Sequence, residues 1–83
     1  MQKIELAAAF EQHRAQLLAV ATRALGSRAD AEDAVQETWF RLARHADDEI
    51  ENLGGWLTRV IGRICVDTLR GRGDGTRRVG AGR

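Results

Sequence analysis

Residues 30–44 read DAEDAVQETWFRLAR, and the spacing of their apolar members decides the fold class. Ala31, Ala34, Val35, Thr38 and Leu42 recur at helical intervals, which places them on one face of an amphipathic helix laid against a core. Gly26 can end a preceding helix, and Asp30 is expected to cap this one, with Asp33 three residues on. Glu32 and Asp33 near the start, and Arg41 and Arg44 near the end, suit the helix dipole. On the opposite side Asp33, Gln36, Glu37 and Phe40 form a second stripe, polar but ending in a large aromatic ring. Such a stripe reads either as a solvated face with one stray Phe or as a docking surface with Phe40 as its anchor. The helix by itself favours the solvated face.

Upstream, residues 4–25 read as a first long helix whose stripe is Phe10, Leu17, Leu18, Ala21 and Leu25, with Arg14 bridging one step by its aliphatic stem. The connection Ser27–Ala29 is short, which favours an antiparallel pair. Downstream comes HADDEIENLGG (His45–Gly55), with four acids, Ile50, Leu53 and a Gly-Gly pair. It is expected to be a loop, with room for one extra helical turn. It reads either as a polar connector pinned by Ile50 and Leu53 or as a shaped loop that recognises something beside it.

A third helix is expected over 55–70. Leu57, Val60, Ile61, Ile64, Thr68 and Leu69 make its buried side, and Trp56 packs at its start. Arg59, Arg63, Val66 and Arg70 share the other side. Guanidiniums spaced about 6–17 Å along a helix can track successive phosphates. A solvated basic face is the competing reading. Gly62 within this helix suggests close approach of another backbone. Residues 71–83, GRGDGTRRVGAGR, contain five Gly and one apolar residue of any size, so they are expected to be a flexible basic tail.

The chain has 83 residues, enough for one domain near the lower size at which a single core suffices. It contains no Pro, and apolar residues make up 43% of it, which fits an all-α domain and argues against wholesale disorder. The single Cys65 cannot form an internal disulfide and reads as a small core residue in a reducing compartment. No stretch has the length of a membrane span or the pattern of a secretory signal, so the expected location is cytoplasmic. His13 and His45 are isolated, without partners at metal-ligand spacing. No catalytic constellation or phosphate loop is visible, so neither an enzyme nor a cofactor is expected.

The net charge of +1 conceals a segregation. Residues 1–29 carry four basic and two acidic groups (+2), residues 30–51 two and eight (−6), and residues 52–83 seven and two (+5). One acidic and one basic segment suit two unlike partners.

The string DAEDAVQETWFRLARH, then a short loop, then WLTRVIGRICVDTLRGRG, resembles region two of bacterial sigma factors. More narrowly it is similar to the extracytoplasmic-function (ECF, group IV) members. With FEQHRAQLLAVATRALGS and IENLGGWLTRVIGRICVDTLR it looks most like the subgroup that carries a SnoaL-like C-terminal domain. The resemblance covers about residues 10–72. It implies a compact three-helix bundle over 1–70, with a linker or tail over 71–83.

It also implies that Asp33, Gln36 and Glu37, with Phe40 beside them, dock on the clamp helices of the largest catalytic subunit of RNA polymerase. The last helix and the loop before it would recognise the minus-ten promoter element as unwound non-template strand, with a base flipped into a pocket. That assigns nucleic-acid contacts to Ile50, Glu51, Asn52, Leu53, Gly54, Trp56, Arg59, Arg63, Asp67 and Arg70. Single-strand binding needs such a cationic track with a pocket for an extruded base. Many family members have Asn where this chain has Arg63, which would change the pocket's hydrogen bonds. An anti-sigma regulator or an appended C-terminal domain is a further implied partner. The competing reading is a helical protein-interaction module without DNA binding. A membrane-surface helix is disfavoured because the buried side of the last helix is committed to a core.

Overall fold

A computed structural model describes residues 3–45 and 50–82, with side chains described over 5–45 and 50–71. Three helices, α1 (Lys3–Leu25), α2 (Arg28–Arg44) and α3 (Leu53–Gly82), form an all-helical bundle in which each packs on the other two. No strand occurs among the described residues. Residues 46–49 of the expected loop, three of them acidic, lie outside them.

Gly26 ends α1 as expected. Its φ is +68°, and its N–H donates to the Thr22 carbonyl at 2.8 Å, a left-handed cap that suits glycine because no Cβ is strained. The chain then restarts at once, so Ser27, not Asp30, caps α2. Ser27 has extended backbone (φ −147°, ψ 125°), and its Oγ accepts the Asp30 N–H at 3.2 Å. Asp30 falls inside the first turn, where its carboxylate still favours the unpaired N–H groups. The sequence pattern shows the apolar stripe, but one glycine in the left-handed region suffices to turn the chain, which moves the cap back three residues, from Asp30 to Ser27.

The start of α3 also differs from expectation. Asn52 caps it: Oδ1 accepts the Gly55 N–H at 3.0 Å, and the Asn52 carbonyl accepts the Trp56 N–H at 2.9 Å. The Gly-Gly pair, which reads as loop in sequence, is therefore the first turn of the helix. At the other end α3 runs to Gly82, past the expected stop at Leu69 or Arg70. Helical hydrogen bonds are local, so a helix nucleated by a packed first half can continue beyond it. Cys65 is the last covered side chain of α3 among the described residues, and Leu69, expected on the buried side, is 42% exposed.

The core unites Leu6, Phe10, Leu17, Ala21 and Leu25 of α1 with Ala31, Ala34, Val35 and Leu42 of α2. From α3 come Leu57, Ile61, Ile64 and Cys65. Of the expected core, Val60 is only half-buried against it. Ala21 and Ala31 are fully covered, which lets α1 and α2 approach closely at that end. Thr38 is the one buried polar residue among those described, and its hydroxyl donates to the Ala34 carbonyl at 2.8 Å, so no polar group is stranded. Ile50, Leu53 and Trp56 pack against the same core and pin the segment before α3 to it. Gly62 does not mark a close approach: a Cβ there would meet nothing within 4 Å.

Candidate nucleic-acid and protein interfaces

On α3, helical geometry puts Arg59, Arg63, Val66 and Arg70 on the side away from Leu57, Ile61 and Ile64, and all four are exposed. Arg63 Nε lies 3.5 Å from Asp67 Oδ1, one turn on, with both side chains largely in solvent. Asp67 is thus an ion-pair neighbour of Arg63. Solvent screening makes such a pair worth little to stability.

At the head of this stripe is a cavity of about 620 Å³. Ile50, Glu51, Asn52, Trp56 and Arg59 line it, together with His45 and the bare backbone of Gly55. Its volume is within the range of small-molecule sites, roughly 300–1,000 Å³. The cap fixes the chemistry of Asn52. Because Oδ1 accepts from Gly55, the amide nitrogen remains as the donor. Glu51 supplies an acceptor and Arg59 a cation. Trp56 is half-buried against the core, and the His45 ring meets it edge-on, centroids 5.6 Å apart and planes at 71°.

Two expected contact residues point elsewhere. Leu53 packs on the core. Gly54 faces α1, where a Cβ would come within 3.2 Å of His13 Cε1, and it lines a separate hollow of about 120 Å³ with His13, Gln16, Leu17 and Thr58. Arg63, Asp67 and Arg70 lie farther along the helix and do not line the cavity.

On α2, Asp33, Gln36 and Phe40 are exposed and Glu37 is half-buried, opposite the buried Ala31, Ala34, Val35, Thr38 and Leu42. Phe40 is 47% exposed, a large area for an aromatic ring on a small domain. Glu37 Oε2 accepts from Arg41 Nε at 3.1 Å, so its carboxylate is oriented along the helix. Gln36 also stands on a groove of about 460 Å³ between α1 and α2, whose floor includes Phe10, Val35 and Trp39. The rings of Phe10 and Trp39 are 5.4 Å apart.

The sigma-70 region 2 family model matches residues 9–74, which hold both faces and the cavity. The chain belongs to the sigma-70 region 2 family. It is 46% identical over 61 residues to ECF RNA polymerase sigma factor SigJ of Mycobacterium tuberculosis (strain ATCC 25618 / H37Rv), covering 74% of this chain and 19% of that protein. It is 40% identical over 65 residues to Probable ECF RNA polymerase sigma factor SigI of the same strain, covering 78% and 22%. With ECF RNA polymerase sigma factor SigE of Mycolicibacterium smegmatis (strain ATCC 700084 / mc(2)155) it shares 35% over 63 residues, covering 75% and 24%. The chain therefore spans about a fifth of the length of the curated relatives it matches. No solved structure matches it.

In this region 2 domain, sequence reading missed His45, Trp39 and Leu6. Leu6 was open to detection, since it precedes Phe10 by one helical turn. Nothing local marks His45, because its neighbour Trp56 is eleven residues away across a loop. Cys65 is buried, and that burial pushes its thiol pKa up, as expected of a packing residue rather than a reactive one. No helix among the described residues is long and apolar enough to cross a membrane.

Proposed function

We propose that this chain is the part of an ECF-type RNA polymerase sigma factor that docks on the polymerase core and holds the unwound minus-ten promoter strand. The observation that carries this reading is the cavity at the start of α3. It joins Trp56, Asn52 and Glu51 to Arg59, the first member of a cationic stripe, within a family-matched segment. An extruded base needs an aromatic or apolar wall and hydrogen-bonding groups for its edge, and the flanking phosphates need cations. Arg59, Arg63 and Arg70 supply the cations, and Asp67, paired with Arg63, offsets part of that charge.

The α2 stripe of Asp33, Gln36, Glu37 and Phe40 is the surface for the clamp helices of the largest polymerase subunit. It faces away from the core that α3 shares, so α2 and α3 can serve two partners at once. The role is binding and not catalysis, and its setting is the cytoplasm. Residues 1–70 form the working unit and 71–83 connect it onward. The subgroup with a SnoaL-like C-terminal domain fits the quoted motifs best, and either that domain or an anti-sigma protein would be the regulator.

Co-elution with polymerase core tests the reading. The wild-type chain is expected to bind, and Gln36→Ala combined with Glu37→Ala to lose binding while melting at the same temperature. Unchanged binding by the double variant would remove the α2 stripe from the interface.

A further inference from the structure

We propose that His45 is a further base-contacting residue, the second aromatic wall of the cavity at the start of α3. The inference rests on the strand-binding reading above and adds to it a residue from a different helix.

Three observations carry it. His45 lines the cavity together with Trp56, and the two rings stand at 71° with centroids 5.6 Å apart. Two rings at such an angle form a corner, in which a flat base stacked on one ring is met edge-on by the other. Both residues also sit at helix ends. His45 closes α2, its N–H donating to the Leu42 carbonyl at 2.9 Å, while Trp56 sits in the first turns of α3 against the core. The packing of α2 on α3 thus sets the two backbones from which the rings project side by side. Finally, the His45 side chain is exposed, so a strand lying along the cavity can reach it. Histidine is among the side chains on which unstacked bases are held.

The test uses polymerase reconstituted with this full chain and a short single-stranded oligonucleotide selected by it from a random pool. Each position of the oligonucleotide is replaced in turn by an abasic residue. Base stacking on an aromatic side chain predicts that His45→Ala weakens binding about 5- to 150-fold on the intact oligonucleotide. On the oligonucleotide abasic at the extruded position, wild type and His45→Ala are expected to bind equally. His45→Phe, which restores a ring, should recover most of the loss, and the melting temperature of His45→Ala should stay near that of wild type.

An equal loss on intact and abasic oligonucleotides, or no loss at all, overturns the role of His45. A melting temperature that falls with a loss on every oligonucleotide makes His45 a structural residue and also overturns it. If no abasic position weakens even the wild-type protein, base capture itself fails and takes this inference with it. That outcome is read from the wild type alone, so the two failures are distinguishable.

Discussion

The side chain of Asn52 reaches forward to Gly55: Oδ1 accepts that residue's N–H at 3.0 Å and closes the first turn of α3. One residue thereby both starts the helix and forms part of the cavity wall. Removing an N-cap of this kind costs about 1 kcal/mol. In a domain of this size that corresponds to a fall of roughly 4–8 °C in melting temperature. Asn52→Ala is expected to show this fall, followed by circular dichroism. Asn52→Asp keeps an acceptor for the Gly55 N–H but replaces the amide donor by a second oxygen. It should melt like wild type and bind single strands more weakly, and equal strand binding would limit Asn52 to capping.

Gly62 lies in the middle of α3 with open space where a Cβ would be. Alanine there gains helix propensity and lowers the entropy of the unfolded chain. The expected stabilisation of Gly62→Ala is about 0.5–1 kcal/mol. Urea unfolding should show a higher midpoint with an unchanged slope. A lower midpoint would mean that another backbone does approach Gly62.

Arg70 and Asp67 should separate charge from structure. Each guanidinium that neutralises a phosphate contributes about 0.7 to the slope of log affinity against log salt for a single strand. Arg70→Ala is expected to lower that slope by about this amount and to weaken all sequences alike, as measured by fluorescence anisotropy across a salt series. Asp67→Ala removes an exposed ion pair with Arg63 and should change stability by less than about 1 kcal/mol. If Arg63 contacts the strand, Asp67→Ala should also raise non-specific affinity, since the pair no longer competes with phosphate.

Cys65 is 4% exposed, and burial raises its thiol pKa from the ordinary 9.0. The folded state then holds the thiol proton more tightly than the unfolded state does. The stability due to the neutral thiol is complete below pH 9.0 and is lost as pH rises from there through the folded-state value. Unfolding free energy should therefore fall above that pH in wild type. Cys65→Ala should show a smaller fall, at the expense of a small cavity, and equal slopes for the two proteins would refute the assignment.

The sequence by itself determined that there are three helices and which residues make up most of their faces. The i, i+3, i+4, i+7 recurrence in 30–44 separates Ala31, Ala34, Val35 and Leu42 from Asp33, Gln36, Glu37 and Phe40 whatever the helix packs against, because both sets follow from the local repeat. The same applies to Leu57, Ile61 and Ile64 against Arg59, Arg63 and Arg70. Tertiary structure decided what periodicity cannot encode. Whether Val60 and Leu69 are covered depends on which helix surface faces them, and whether Gly62 meets a neighbour depends on the same packing. The caps at Ser27 and Asn52 rest on the backbone dihedral of one residue and on single hydrogen bonds, whereas the sequence pattern put the first cap at Asp30 and left the Gly-Gly pair in the loop. The cavity is the clearest case. Trp56 and Arg59 come to it from one helix, but His45 enters only because packing sets the end of α2 beside the start of α3, and contact across a loop leaves no local repeat to read.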